Sequence, residues 1–249
     1  MQRYRFTLEY DGSKFFGWQR QRSQPTVQQV LEDQLRVFTH HPVTIYGAGR
    51  TDAGVHATGQ VAHADLNYPH SVQRLQLALN HFLVPQGLCI TDCQLIDQSF
   101  HSRYSAIYRA YKYQILNRPA PGIWDNKVWH VAKLLDAERM FVAAQALLGT
   151  HDFSSFRDSK CQSKGPIKTI SQFDIMRRGD YIIASLQAPS FLHHQVRIMI
   201  GTLKDVGSGA ISVDEFIKIR DAKDRTKAGV TAPPQGLTLT GVGYGDQSI

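Results

Sequence analysis

Cysteine is scarce in this 249-residue chain: Cys89, Cys93 and Cys161 are the three, an odd number with no C-x-x-C pair. That spacing supports neither a disulfide framework nor a zinc site. A G-x-x-x-x-G-K-[ST] motif is missing as well, so phosphate-loop nucleotide chemistry has no carrier. No run approaches the roughly 18 apolar residues that a membrane span needs. The opening Met-Gln-Arg-Tyr-Arg-Phe carries no apolar targeting core, and a cytoplasmic protein is the resulting expectation. Acidic side chains are outnumbered, 21 against 28 Lys and Arg, giving a net charge of +7 and a pI near 9.4. Such an excess favours a polyanionic partner, because basic surfaces steer and hold phosphates. With 42% apolar and 20% charged residues the chain reads as globular, long enough for one large domain or two small ones.

The most unusual stretch is Gly47-Ala-Gly-Arg-Thr-Asp-Ala-Gly-Val-His-Ala-Thr-Gly59. Its glycines permit tight turns and close approach of other groups. Arg50, Asp52 and His56 sit among them. Strand-like runs lead in (43–46) and out (60–66), so the motif reads as a loop that presents a charged pair to a ligand. The alternative is a surface ion pair of little energetic weight.

Around it the chain alternates strands and amphipathic helices. Strands are expected at 3–10, 43–46, 60–66, 88–96, 105–116, 169–176, 181–188 and 237–242. Helices are expected after the Thr26/Gln29 capping pattern, over 72–82, after Asp136 up to Gly149, from about His193, and after the Ser212/Glu215 capping box. In the helix near 193, Val196, Met199, Ile200 and Leu203 point inward, with His193, Arg197 and Lys204 on a polar side. Cys89 and Cys93 lie in a strand as buried thiols. Phe15, Phe16 and Trp18 are followed by Arg20 and Arg22. Aromatics interleaved with arginine suit base stacking and phosphate pairing, Trp18 more than Phe15 and Phe16, which fit a core better. Lys160, Lys164 and Lys168 mark an exposed basic loop. The pattern implies two α+β units, residues 1–104 and 105–249, and its hairpin-like adjacencies argue against a purely parallel sheet.

Gly49-Arg-Thr-Asp-Ala-Gly-Val-His-Ala57 resembles the signature of the TruA family of tRNA pseudouridine synthases. Tyr10-Asp-Gly, Phe16-Gly-Trp-Gln19, Thr26-Val-Gln, Leu31-Glu, Tyr111-Lys-Tyr113, His151-Asp-Phe, Ser155-Phe156, Phe191-Leu-His-His-Gln-Val-Arg197, Ala228-Gly, Thr231-Ala-Pro and Gly236-Leu follow in the family's order. The resemblance spans nearly the whole chain, with one departure at Thr238, where the family favours an aromatic. It implies the α+β pseudouridine synthase fold, a mostly antiparallel, curved mixed sheet with helices, built from two related ferredoxin-like halves with a basic cleft between them. It also implies a homodimer that needs no metal and no cofactor. The expected activity is conversion of uridine to pseudouridine at positions 38, 39 and 40 in the anticodon stem-loop of tRNA.

That isomerisation breaks the C1′–N1 bond, turns the base and rejoins it through C5. It calls for a carboxylate that can attack carbon or stabilise a developing cation. The resemblance gives this role to Asp52, leaving open attack at C6, attack at C1′, or elimination through a glycal. It makes Tyr111, Arg50 and Arg197 substrate-binding residues. Tyr111 would stack on the extruded uracil, with its hydroxyl available for proton transfer. One arginine would serve Asp52 and the other a phosphate, and Arg50 is also placed to fill the space of the flipped base. His56 orders the backbone in this reading. Arg20, Arg22, Lys160, Lys164 and Lys168 are candidates for RNA contact. Two rivals are a nucleotide-binding protein using the Gly-rich loop, disfavoured because the loop leads into a strand, and a catalytically silent RNA-binding protein.

Overall fold

A computed structural model describes residues 1–68, 71–123 and 126–245. In chain order the elements are β1 (Gln2–Tyr10), α1 (Val27–Thr39), β2 (Tyr46–Gly47), β3 (His56–Leu66), α2 (Val72–Leu83), β4 (Leu88–Ile96) and β5 (Ala106–Leu116). Then come β6 (Trp129–His130), α3 (Ala137–Gln145), β7 (Gly149–Asp152), β8 (Ile167–Ile170), β9 (Gln172–Arg178) and β10 (Tyr181–Ala188). The last are α4 (Gln195–Gly207), α5 (Val213–Ala222) and β11 (Leu237–Tyr244). The fold is α+β. Two compact units divide within β5: Met1–Arg109 with the segment from Thr238 onward, and Ala110–Leu237.

In the first unit β1 is the central strand, antiparallel to β3 on one side and β4 on the other. Its alternation puts Tyr4, Phe6, Leu8 and Tyr10 in the core, as period-2 patterning demands. β11 pairs parallel with β3 through Thr238 and Leu239. The β1–β3 register slips between Leu8, opposite Gln60, and Tyr10, opposite Ala57. This bulge lies where β3 leaves the Gly-rich loop, a position where an extra residue re-aims the chain.

Helix α1 starts as expected, with Thr26 Oγ1 accepting the Gln29 N–H at 3.3 Å. The expected strand at 43–46 shrinks to Tyr46–Gly47. The reason is a side-chain capture of the backbone: Glu32 Oε1 accepts the Ile45 N–H at 3.0 Å, and Gln28 Nε2 donates to the Ile45 carbonyl at 3.1 Å. A residue served by α1 side chains has nothing left for a neighbouring strand.

The second unit sets β10 between β5 and β9, with β6 parallel to β5 and a separate β7–β8 hairpin. Helices α3, α4 and α5 pack on one another and α3 packs on β9. Helix α3 ends at Gln145, short of the expected Gly149, which adopts φ +87° and opens β7. Helix α4 begins at Gln195, not at His193. His194 takes the left-handed φ of 59° at the cap, and His193 lies outside the helix. The capping box of α5 is complete, Ser212 and Glu215 each satisfying the other's backbone. Among the described residues no helix is long and apolar enough to cross a membrane.

Candidate active site

The Gly-rich loop, 48–55, alternates between anchored and presented residues. Arg50 is exposed, Thr51 is buried, Asp52 is half-buried and Val55 is buried again. Thr51 is the fixed point. Its Oγ1 lies 2.8 Å from the Tyr10 hydroxyl, and its carbonyl accepts the Trp18 N–H at 3.0 Å. Burial pushes the Tyr10 hydroxyl up to about 12, against the opposing hydrogen bonds to Thr51 and Gln60, so it stays protonated as a neutral partner. Further ties close the loop: Gln60 Nε2 donates to the Gly49 carbonyl at 2.9 Å, and the Val55 N–H donates to the Asp52 carbonyl at 3.1 Å. The backbone on each side of Asp52 is therefore held, and Asp52 itself is half-buried.

The aromatic turn before α1 has a different role from the one expected of it. Trp18 is 3% exposed and Phe15 is buried, whereas Phe16 is 48% exposed. The core residues are Phe15 and Trp18, not Phe15 and Phe16. Trp18 cannot stack on a base, because its ring is buried and packs beside Gly47, while its backbone N–H ties the turn to Thr51. Gly17 sits at φ +83°, and a Cβ there would come within 2.7 Å of the Thr51 carbonyl. Only glycine allows this turn to back the loop so closely. His56 also orders the backbone: its Nδ1 accepts the Gly12 N–H at 3.0 Å and lies 3.2 Å from the Asp11 carboxylate.

In the second unit, Tyr111 lies half-buried in β5, edge-to-face with Phe191 at 5.3 Å between centroids. Phe191 opens the turn into α4, so ring packing fixes where that turn meets the strand. Arg197 sits in the first turn of α4. Its Nε donates to the Ala232 carbonyl at 2.7 Å, and the Ala232 N–H donates back to the Arg197 carbonyl at 3.0 Å. The neighbouring Pro233 carbonyl accepts the buried Tyr113 hydroxyl at 2.8 Å. Burial raises the Tyr113 pKa, partly offset by the Arg197 charge. Gly201 has no room for a Cβ against the Val230 carbonyl, which lets the 230–233 segment lie on the helix. The expected polar face of α4 is dispersed: Lys204 pairs with Asp205, while His193 and His194 both turn to Asp158, at 3.5 and 2.9 Å.

The basic candidates separate as well. Arg20 is neutralised by Glu32 and Asp33, each at 2.8 Å, and is a poor phosphate ligand. Arg22, Lys160 and Lys164 are exposed, whereas Lys168 is half-buried in β8 opposite His151. Tyr10, Thr51 and Gly17 support the Gly-rich loop in the first unit, and Phe191 packs on Tyr111 in the second. Sequence patterning gave them no role of their own, although all four stood inside the motifs quoted for the resemblance.

A family model described as tRNA pseudouridine synthase matches residues 7–105 and 143–245. Arg50, Asp52 and Arg197 fall inside these segments and Tyr111 between them. A tRNA pseudouridine synthase A of Paramagnetospirillum magneticum is 50% identical over 245 residues, 98% of this chain and 96% of that protein. Proteins of the same name from Rhodospirillum centenum and Methylobacterium nodulans are 49% and 46% identical, covering 98% and 100% of this chain and 100% and 98% of theirs. A solved Cbf5-Nop10-Gar1 complex aligns over 97% of this chain and 51% of its own at 10% identity, with a TM-score of 0.41 too low to bear on function. Matched along nearly its entire length, and through the loop that anchors Asp52, the chain belongs to the TruA family of tRNA pseudouridine synthases, isomerases that act on uridine in tRNA.

Proposed function

We propose that the protein isomerises uridine to pseudouridine at positions 38, 39 and 40 of the tRNA anticodon stem-loop, with Asp52 as the nucleophile. The observation that carries this reading is the clamped loop: a half-buried carboxylate displayed between buried Thr51 and Val55, on a backbone fixed by Tyr10, Trp18 and Gln60. Preorganisation of this kind places a reacting group without a reorganisation cost during the reaction.

In this reading the target uridine leaves the helical stack, at a cost of a few kcal/mol. Asp52 attacks in its ionised form, and the C1′–N1 bond breaks. The uracil turns, C5 bonds to C1′, and the bond formed by Asp52 breaks to return the free carboxylate. The C5 hydrogen departs as a proton and N1 ends protonated, so nothing is oxidised or reduced. Tyr111 stacks on the uracil, and its hydroxyl serves the proton transfer. Arg50 and Arg197 hold the carboxylate and a backbone phosphate. The protein works in the cytoplasm as a homodimer, with tRNA as its macromolecular partner.

The test is single-turnover pseudouridine formation on an unmodified tRNA transcript carrying uridines at 38, 39 and 40, with each position mapped. Wild type should modify this arm. Asp52→Asn should form no product and still bind the transcript. Product at other positions alone would refute the assignment of the anticodon arm. Tight binding without product from wild type would make the protein a silent RNA binder.

A further inference from the structure

In the first unit a ladder of rings climbs from the core into solvent. His63, 2% exposed, stacks on Tyr46 at 5.2 Å and 22°, and meets the edge of His101 at 4.6 Å. The His101 ring in turn lies 4.4 Å from that of Tyr104. The two outer rings are open: Tyr46 is about half-exposed and Tyr104 is 78% exposed. The exposed guanidinium of Arg103 stands 5.9 Å from the Tyr104 ring centroid.

The backbone that displays these rings is rigidly tied. Ser102 Oγ donates to the Tyr46 carbonyl at 2.6 Å, and the Tyr244 hydroxyl donates to the Ser102 carbonyl at 2.7 Å. The His101 Nδ1 accepts the N–H groups of Arg103 and Tyr104, at 3.2 and 3.4 Å. Buried Arg109 donates to the Arg103 carbonyl at 2.7 Å. A large ring ordinarily gains by burial, yet here a network of hydrogen bonds holds one outward. The isomerisation proposed above uses none of these side chains.

We propose that Tyr104, Tyr46 and Arg103 form a second RNA contact, a stacking platform for an unpaired nucleobase of the substrate tRNA, with Arg103 on the adjoining phosphate. This rests on the tRNA reading above. An exposed aromatic face beside a guanidinium matches the two surfaces a splayed nucleotide offers, a π-face and an anionic phosphate. The net charge of +7 favours the same polyanion. A base within a duplex has both faces covered, so the platform suits a loop or bulge nucleotide. Every base has such a face, so the contact adds affinity with little sequence preference.

The experiment is equilibrium binding of an unmodified tRNA transcript across a salt series. Tyr104→Ala should weaken binding about tenfold or more while leaving the salt slope as in wild type. Tyr104→Trp and Tyr104→Phe should keep wild-type affinity. Arg103→Gln should reduce the slope of log K against log salt by about one. Equal affinity of wild type and Tyr104→Ala would overturn the platform while leaving the proposed function intact. A Tyr104→Ala protein that binds tRNA normally but sediments in a different oligomeric state would assign the ring to a protein contact instead, and would also overturn it. A wild type that binds no tRNA would remove the functional reading and this inference together.

Discussion

The hydroxyl of Tyr10 lies 2.8 Å from Oγ1 of Thr51, tying the last residue of β1 to the residue before the proposed nucleophile. Both groups are buried. Removing one leaves the other short of a buried hydrogen bond, at a cost of about 1–3 kcal/mol. Tyr10→Phe and Thr51→Val should therefore each lower stability by about that much in urea titration. They should also slow single-turnover product formation more than they weaken tRNA binding. Thr51→Ser, which keeps the hydroxyl, should recover most of the rate. Equal loss of rate in Thr51→Ser and Thr51→Val would mean that the hydrogen bond does not position the loop.

Gly17 backs the same loop at φ +83°. Gly17→Ala brings a Cβ against the Thr51 carbonyl and forces a left-handed conformation, a strain of about 1–3 kcal/mol. Thermal unfolding should report the loss, and the single-turnover rate should fall with it. A variant as stable and as active as wild type would show that the turn can move away without consequence.

Arg109 is a buried cation whose guanidinium serves the carbonyls of Ala48 and Arg103 at 2.7 Å and Ala106 at 3.3 Å. Arg109→Met fills the space but strips these acceptors, and should cost about 2–3 kcal/mol. Chemical denaturation compared with an exposed control, Arg22→Met, would test this. Similar midpoints for the two variants would contradict it.

Acid should act on the first unit through His63. Burial, with the charges of His101 and Arg3, pushes its pKa from 6.5 to about 4, against an opposing contribution from Asp65. Between these values the unfolded chain binds a proton that the folded chain does not, so stability falls as pH drops from 6.5 to about 4. The slope from one such group is at most about 1.4 kcal/mol per pH unit. His101 shifts in the same direction. His63→Gln should flatten the dependence in pH-resolved urea titrations, and an unchanged slope would place its origin elsewhere.

The three thiols should react in a fixed order. Burial and the Asp92 charge push Cys93 up to about 12, and burial also raises Cys89. For Cys161 burial raises the pKa too, but hydrogen bonds from the His193 and Ser163 backbone, with Arg157, bring it below the usual value. Iodoacetamide labelling followed by peptide mapping should therefore find Cys161 alkylated first and Cys93 last. Early labelling of Cys93 would mean that β4 opens readily.

The sequence by itself determined the elements whose signals are local. Strand β10 follows from strict alternation, α5 from its capping box, and the central loop from glycines set around Arg50, Asp52 and His56. The family, too, was legible in the motifs, because they run through nearly the whole chain. Tertiary structure decided what depends on distant partners. The strand expected at 43–46 is lost because Glu32 and Gln28, more than ten residues earlier, capture the backbone of Ile45. Phe16 and Trp18 exchange the core and surface places expected of them because the Trp18 ring packs against Gly47, a contact that no periodicity within the turn encodes. Patterning records the preferences of neighbours along the chain. Which buried group satisfies which is settled only when residues far apart in sequence compete for the same hydrogen bonds and the same space.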